Sequence, residues 1–451
     1  MPIKFKFQTL NQKLWAVVAA SFVTRAIIFF ILPSTPSSFA TDEGTYASLT
    51  KWIGQSKPAD EFPAFGQDLY ISGRSIIVPA SILYRIGINE LDSVRLVSTT
   101  YGLCALILLV TLILRLYKES MVDLLDEKFN QLLIFGLVLI FAFLPSHFTW
   151  SNLGLRESAT EFWILASFGV FFIIYNFQKK ITAVGIVTLV ASIAFAFSSR
   201  PQVGWVIGVS MIVYLLFNLN QVNTYFVIGV VICGVLLGSM WNQGGTTSAV
   251  GTTGTTGAVG TTGATGTTVT TGNTGSLGEI FNPLINAGEL ISYQHEVNQL
   301  DAVSVIETQS CPRERYPLTA TPPTKADTYF CIAWRAPYMI STFLFRPIIG
   351  VDVTSTSSLM AALENLFWIF LFLIVIILIL KKRCIPFVRL LLPPLIFFVL
   401  YVSGASAYQG NMGTGFRHKS LILWVVLLTV FALAWRKPEQ AQRNNSQKGA
   451  V

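Results

Sequence analysis

Apolar stretches long enough to cross a bilayer recur along this chain and constrain its fold most strongly. A helix needs about 20 apolar residues to span the roughly 30 Å hydrocarbon core of a membrane. The composition agrees, with 53% hydrophobic and only 12% charged residues. We count about ten such stretches, which predict an all-α polytopic membrane protein. They run over residues 14–32, 94–117, 131–150, 161–177, 181–198, 203–217, 225–241, 359–380, 385–402 and 420–435.

Two further apolar stretches, 71–88 and 336–351, are shorter or carry charges. Such segments favour helices that lie in the membrane interface rather than crossing it. The first of them falls in a predicted outer loop over residues 33–92. We therefore expect a bundle of about ten transmembrane helices with interfacial helices in the first outer loop.

The basic residues indicate how the chain is oriented. Most of them fall on one side if the helices simply alternate, and clusters of Lys and Arg mark the cytoplasmic side. Both termini are then cytoplasmic in a multi-pass protein of the cytoplasmic membrane. The net charge of +8 reports this topology and contact with anionic membrane lipid, with no sign of nucleic-acid binding. The residues on this side are Lys4, Lys6, Lys13, Arg115, Lys118, Lys128, Lys179, Lys180, Lys381, Lys382, Arg383, Arg436, Lys437, Arg443 and Lys448.

Composition divides the chain into four parts. An N-terminal membrane domain covers 1–241, an extracytoplasmic loop 242–355, the C-terminal transmembrane helices 356–435 and a cytoplasmic tail 436–451. Within the loop, the almost pure Gly/Thr tract 244–275 has no core-forming side chains, which favours a disordered tether. Its threonines could instead be glycosyl acceptors. Cys311 and Cys331 share the outer compartment, so they form either a disulfide or two free thiols.

An acidic doublet, Asp42-Glu43, follows the first apolar stretch by about ten residues. On the predicted topology it lies outside the membrane. A carboxylate at the membrane surface can deprotonate an acceptor hydroxyl, or it can hold a divalent cation such as Mg²⁺ or Mn²⁺ against a phosphate. The alternative is a solvated turn without chemistry.

Arginines collect at the same outer helix ends, where the positive-inside rule disfavours them. An unpaired guanidinium in a helix costs about 2.5–3.5 kcal/mol on insertion scales, so Arg25 needs a partner or a polar cavity. Arg156 has the alternative of pairing with Glu157 or Glu161. A ring of arginines fits an anionic ligand such as a lipid-linked phosphate. The candidate ligand-binding residues are Arg25, Tyr46, Arg156, Glu157, Arg200, Arg417, His418 and Lys419, whereas Arg95 and Arg346 are expected to be interfacial.

An arginine-bearing first helix followed by Asp42-Glu43-x-x-Tyr46 resembles the GT-C glycosyltransferases. The likeness is to the protein O-mannosyltransferase and aminoarabinose-transferase branch, glycosyltransferase family 39. The segments Leu155-Arg156-Glu157 and Gly415-Phe416-Arg417-His418 follow the same pattern and topological order. The likeness is carried mainly by residues 14–220.

This resemblance implies a bundle of membrane helices that takes a sugar from a polyprenyl-phosphate donor. The acceptor is then a glycan, lipid or protein hydroxyl of the cell envelope. It implies that Asp42 is the catalytic carboxylate and that Glu43 assists in acceptor or metal binding. Arg25, Tyr46 and the later outer arginines would line the cavity for the lipid phosphate.

Three other readings stay open on the sequence. An envelope polysaccharide polymerase or ligase shares the many spans and outer arginines but uses pyrophosphate-linked glycans. A lipid-linked glycan transporter or flippase should carry its charges near the bilayer midplane, whereas these lie near helix ends. A structural scaffold that displays the Gly/Thr loop would leave the carboxylates unexplained.

The predicted topology is tested by placing a cysteine beside the doublet. In an otherwise cysteine-free chain, we expect Thr45→Cys to react with a membrane-impermeant maleimide added to intact cells. The matched Lys128→Cys variant should react only after the membrane is permeabilised. Protection of position 45 in intact cells would place the doublet on the cytoplasmic side.

Overall fold

The computed structural model describes residues 2–36, 41–62, 64–119, 127–177, 182–218, 224–243, 325–353, 355–380, 391–409 and 412–434. These residues form fourteen α-helices and no β-strand. The Gly/Thr tract, Cys311, most of the large loop and the basic tail lie outside the described residues. Cys331 is disulfide-bonded, but its pairing with Cys311 stays a prediction.

The helices follow one another along the chain and are numbered here in that order. They are α1 (Pro2–Ile31), α2 (Thr41–Gly54), α3 (Ala64–Arg85), α4 (Glu90–Glu119), α5 (Glu127–Phe143), α6 (Pro145–Asn152), α7 (Arg156–Phe171), α8 (Ala183–Ser199), α9 (Pro201–Leu216), α10 (Thr224–Gln243), α11 (Lys325–Phe345), α12 (Thr356–Leu380), α13 (Leu392–Tyr408) and α14 (Met412–Ala434).

Five helices are long and apolar enough to cross a membrane, namely α1, α4, α7 with the π-helical turn that follows it, α12 and α14. The bent pair α5 and α6 would make a sixth. Four shorter apolar helices, α8, α9, α10 and α13, complete the set. The fold is therefore that of an α-helical polytopic membrane protein, within which the predicted count of ten spans is not established.

The predicted span 131–150 is broken rather than continuous. Its two parts, α5 and α6, meet at an angle of 41°. Pro145 is the first residue of α6 and Leu144 before it is extended. This follows from chemistry, because proline lacks an N–H for the helix ladder and disfavours a helical residue before it. The break gives α6 a direction of its own inside the bundle.

Two apolar clusters build the core. The larger one joins α1, α4, α5 and α7 to the helices from α8 onward. The smaller one lies under α2 and α3, which pack on each other and on the start of α4. Tyr46, Ile76, Val94, Trp150 and Phe416 belong to the smaller cluster. It therefore joins α2 and α3 to α4, α6 and α14.

Helix α6 packs tightly against α4 at Gly102. A Cβ atom added there would lie 2.4 Å from Cβ of Ser151 on α6. Real Cβ atoms do not approach so closely, so a side chain at position 102 would push the two helices apart. Glycine is thus required by the packing of α6 and not by backbone conformation.

We expect Gly102→Ala to lower the thermal unfolding temperature in nanodiscs, because overpacking costs about 1–3 kcal/mol. Gly169→Ala on α7 is the matched control, since an added Cβ there meets nothing within 4 Å. That control should be neutral or stabilising, because alanine is favoured over glycine in helices by up to about 1 kcal/mol. Equal melting temperatures for the two variants would contradict the close approach.

Candidate active site

The acidic doublet lies in the first turn of α2, where negative side chains suit the helix dipole. Its two carboxylates have different surroundings. The Glu43 side chain is fully buried, whereas 35% of the Asp42 side chain is exposed. Adjacent residues on a helix point about 100° apart, so the two side chains face different neighbouring helices.

Glu43 is bound by Arg95 of α4. Nε of Arg95 donates to Oε1 at 2.7 Å and Nη2 donates to Oε2 at 3.2 Å. The same guanidinium also donates to the backbone carbonyls of Pro33 and Thr35. The pair therefore fastens α2 and the segment before it to α4.

This geometry corrects two expectations. Arg95, predicted at the membrane interface, is only 1% exposed. Both oxygens of Glu43 are engaged by that guanidinium, so the proposed role of Glu43 in acceptor or metal binding does not fit. Its role is to position α2, and with it Asp42.

Asp42 faces the C-terminal helix. Nη1 of Arg417 on α14 donates to Oδ2 of Asp42 at 3.1 Å. The same guanidinium lies over the ring of Trp150 on α6, 5.3 Å from its centroid. Arg417 is thus held between an aromatic face and a carboxylate.

A second ion pair lies close by. Nη2 of Arg200 donates to Oε1 of Glu157 at 2.6 Å, and both side chains are at least nine-tenths buried. Arg200 separates α8 from α9 and is extended because Pro201 follows it. Arg156, a predicted ligand-binding residue for which pairing with Glu157 or Glu161 was the alternative, donates to the Ser72 carbonyl of α3.

Charge interactions join these residues into one group. The carboxylate of Glu157 interacts with Arg200, Arg417 and Arg156. The buried His418 ring interacts with the same three guanidiniums. Tyr46 interacts with Arg156, Glu157, Asp42 and Arg200, and burial raises the pKa of its phenol to about 12. We call Asp42, Tyr46, Arg156, Glu157, Arg200, Arg417 and His418 the Asp42 cluster.

The charges of the Asp42 cluster do not balance. Among the described residues of this cluster, three guanidiniums lie near two carboxylates, which is an excess of one positive charge. The arrangement therefore favours an anionic ligand beside a half-exposed carboxylate. Seven of the residues singled out from the sequence come together here.

Arg25 lies elsewhere. Its guanidinium donates to Ser21 and Ser151 and stacks on Phe148, with the ring centroid 4.8 Å away. Glu161 is the carboxylate that acts on it, and Glu161 is hydrogen-bonded to Nδ1 of His147 at 2.6 Å. Contacts of Arg25 thus run to α1, α6 and α7, not to Asp42.

Lys419 is also outside the Asp42 cluster, contrary to the prediction. It is fully buried, and its ammonium donates to the Arg346 carbonyl and to Oδ1 of Asn365, both at 2.7 Å. Arg346 in turn pairs with Asp352, and the hydrogen bonds from Arg346 lower the pKa of that carboxyl. Lys419 therefore joins α14 to the connection between α11 and α12.

A resident divalent cation does not fit these residues. Among the described residues, no group of three or more His, Cys, Asp or Glu side chains could hold a metal. Asp42 offers one carboxylate that already contacts Arg417, and Glu43 is engaged by Arg95. We derive no step through a metal.

A separate concavity of about 480 Å³ is lined by residues of α2 and of the start of α4. Among its charged groups, Lys51 bridges to Glu90 at 3.3 Å and Lys57 lies over the ring of Trp52. Asn89 caps the start of α4 through the backbone N–H of Leu91. Asp42 is not among its lining residues.

Two residues that are not among the predicted site residues belong to the site or its support. Trp150 forms the aromatic floor under Arg417, and Glu161 binds His147. A charged residue at the start of the apolar stretch 161–177 was the available signal for Glu161. For Trp150 the sequence offers no such signal, because aromatic residues are common throughout the apolar stretches.

No protein-family model, curated protein or solved structure matches this chain. The resemblance to GT-C glycosyltransferases therefore stays a prediction from the residues quoted above. What the Asp42 cluster can do is inferred from its own geometry.

The role of Glu43 is testable through stability. We expect Glu43→Ala to cost about 3–5 kcal/mol, because it leaves the buried Arg95 guanidinium uncompensated. The exposed pair provides a matched control, since Glu90→Ala should cost at most about 1 kcal/mol. Thermal unfolding in nanodiscs measures both, and similar small losses would mean that the buried pair does not hold α2.

Proposed function

We propose that this protein is an inverting membrane glycosyltransferase that takes a sugar from a polyprenyl-phosphate donor. The acceptor is a hydroxyl of a cell-envelope glycan, lipid or protein. The observation that carries the proposal is a half-exposed carboxylate, Asp42, within a group that has one guanidinium in excess.

The carboxylate serves the acceptor side of the reaction, and the guanidiniums serve the departing lipid phosphate. Asp42 accepts the proton of the acceptor hydroxyl as its oxygen forms a bond to the anomeric carbon. The bond from that carbon to the phosphate oxygen breaks, and its electron pair leaves with the lipid phosphate. Arg417, Arg156 and Arg200 stabilise the charge that develops there, and in a partly dry site such preorganised groups act strongly.

Sugar transfer of this kind consumes no nucleotide at the membrane's outer face. The proposal places the site extracytoplasmically in the cytoplasmic membrane, with both termini inside and about ten spans in a GT-C-like bundle. Any Mg²⁺ or Mn²⁺ would come with the substrate phosphate, because the part of the chain that the structure describes offers no group of metal ligands.

Two competing functions make different demands. A polysaccharide polymerase or ligase would use pyrophosphate-linked donors. A transporter or flippase would use charges near the bilayer midplane, yet Arg25 lies six residues, about 9 Å, from the end of its span. We therefore place sugar transfer first, and the choice of donor in the assay separates it from both competitors.

The test is transfer of a radiolabelled sugar from polyprenyl phosphate to envelope acceptors by the reconstituted protein. We expect Asp42→Asn to lower the rate by about 10²–10⁴-fold, since it removes the general base, while donor binding is retained. Asp92→Asn, a matched loss of one carboxylate at the start of α4, should keep the wild-type rate.

Full activity of Asp42→Asn would remove Asp42 from the mechanism. Activity with pyrophosphate-linked donors alone would favour the polymerase. Movement of the intact lipid-linked glycan across the bilayer without sugar transfer would favour the flippase.

A further inference from the structure

Two hydrogen-bond donors at the Asp42 cluster have no partner. The Tyr46 hydroxyl and Nε1 of Trp150 are both inaccessible to solvent, and neither makes a hydrogen bond. The two residues are 1% and 8% exposed. Buried tyrosine and tryptophan donors normally find a partner, and one left without costs about 1–3 kcal/mol. Two such donors at one site call for an explanation.

Both donors lie beside charged residues of the Asp42 cluster. Tyr46 interacts electrostatically with Asp42, Arg156, Glu157 and Arg200. Trp150 lies beneath Arg417, which contacts Asp42. Both side chains are members of the smaller apolar cluster under α2 and α3. They are therefore at the candidate reaction centre and not at the lipid-facing surface.

The packing holds the Tyr46 ring in this position. On α3, a Cβ atom added at Gly73 would lie 2.9 Å from Cε1 of Tyr46. The phenol is thus pressed against a helix that leaves no room for a side chain, and its hydroxyl is oriented by contact rather than by a hydrogen bond. Trp150 is held by an edge-to-face contact with Phe416, whose ring centroid lies 6.0 Å from that of Trp150.

We propose that Tyr46 and Trp150 donate hydrogen bonds to oxygens of a phosphate-bearing ligand in the Asp42 cluster. An indole N–H can only donate, and a phenol with a pKa of about 12 stays protonated at neutral pH. Phosphate oxygens are acceptors, so donors of this kind suit them. The proposal rests on the proposed function, because it names groups that bind the phosphate of the same donor.

Neutral donors serve a purpose that more guanidiniums would not. They recognise phosphate oxygens without adding to the single excess positive charge of the cluster. The two donors add hydrogen bonds to the ligand and leave its Coulomb attraction to the cluster unchanged. A lipid phosphate that must leave after each transfer is bound firmly enough to orient and weakly enough to release.

The experiment measures equilibrium binding of radiolabelled polyprenyl monophosphate to the full-length protein in phosphatidylcholine nanodiscs. We expect Tyr46→Phe and Trp150→Phe each to raise the Kd about three- to tenfold, the effect of one hydrogen bond. Trp163→Phe and Tyr175→Phe are matched controls, since Trp163 stacks on Phe195 and Tyr175 bonds to Thr224. Neither control should change the Kd.

Competition by inorganic phosphate distinguishes the source of the ligand. If inorganic phosphate displaces the lipid and loses affinity in the same two variants, the donors recognise the phosphate group itself. If only the lipid binds and shows the same losses, the donors recognise it within a lipid carrier. Unchanged affinity in both variants for both ligands overturns the proposal.

Stability without ligand supplies an independent readout. Tyr46→Phe removes an oxygen that has no partner, so the melting temperature of the ligand-free protein should stay or rise. Tyr175→Phe removes a satisfied hydroxyl and should lower it. A fall for Tyr46→Phe equal to that of Tyr175→Phe would mean that the Tyr46 hydroxyl is bonded within the protein, and would overturn the proposal.

The binding experiment and the sugar-transfer assay can fail independently of each other. Sugar transfer that depends on Asp42, with lipid binding indifferent to Tyr46 and Trp150, would remove only the present inference. Phosphate binding that depends on the two donors, without any transfer, would retain this inference and remove the glycosyltransferase.

Discussion

A charged side chain buried in a membrane protein must have a partner. In this structure the short helix α6 contacts four such side chains. Ser151 and Phe148 contact Arg25, and His147 binds Glu161. The backbone N–H of Ser146 donates to Glu364 at 2.7 Å, and Trp150 lies under Arg417. Breaking such a buried contact costs several kcal/mol, so α6 is fixed from four sides. The bend at Pro145 is what lets one short helix reach all of them.

Two layers of charge result, and α7 connects them. Glu157 and Glu161 lie one turn apart on the same face of that helix, about 5–6 Å between their Cβ atoms. Glu157 pairs with Arg200 in the Asp42 cluster, whereas Glu161 binds His147 deeper along the helix. The deeper layer is balanced, since Arg25 and Lys419 match Glu161 and Glu364. It supports the layer above, where the balance is broken and a ligand anion is favoured.

The sequence predicts the class of fold and the existence of the site, because hydropathy and charge are properties of segments. It indicated Asp42, Arg156, Arg200 and Arg417 from their position at helix ends. It could not indicate that Arg95 pairs with Glu43 or that the ammonium of Lys419 binds groups outside the site. Those outcomes depend on how each helix is rotated and on which helix lies beside it, and apolar stretches without clear periodicity do not specify either.

The principal contact of the site joins residues 375 positions apart, Asp42 near the beginning of the chain and Arg417 in its last helix. Ribosomes add about 5–20 residues per second, so α2 waits on the order of tens of seconds for α14 to be inserted. During synthesis the carboxylate therefore exists without its guanidinium, and a truncated chain can never assemble the pair. Synthesis and insertion of α14 are therefore a condition for forming the contact between Asp42 and Arg417.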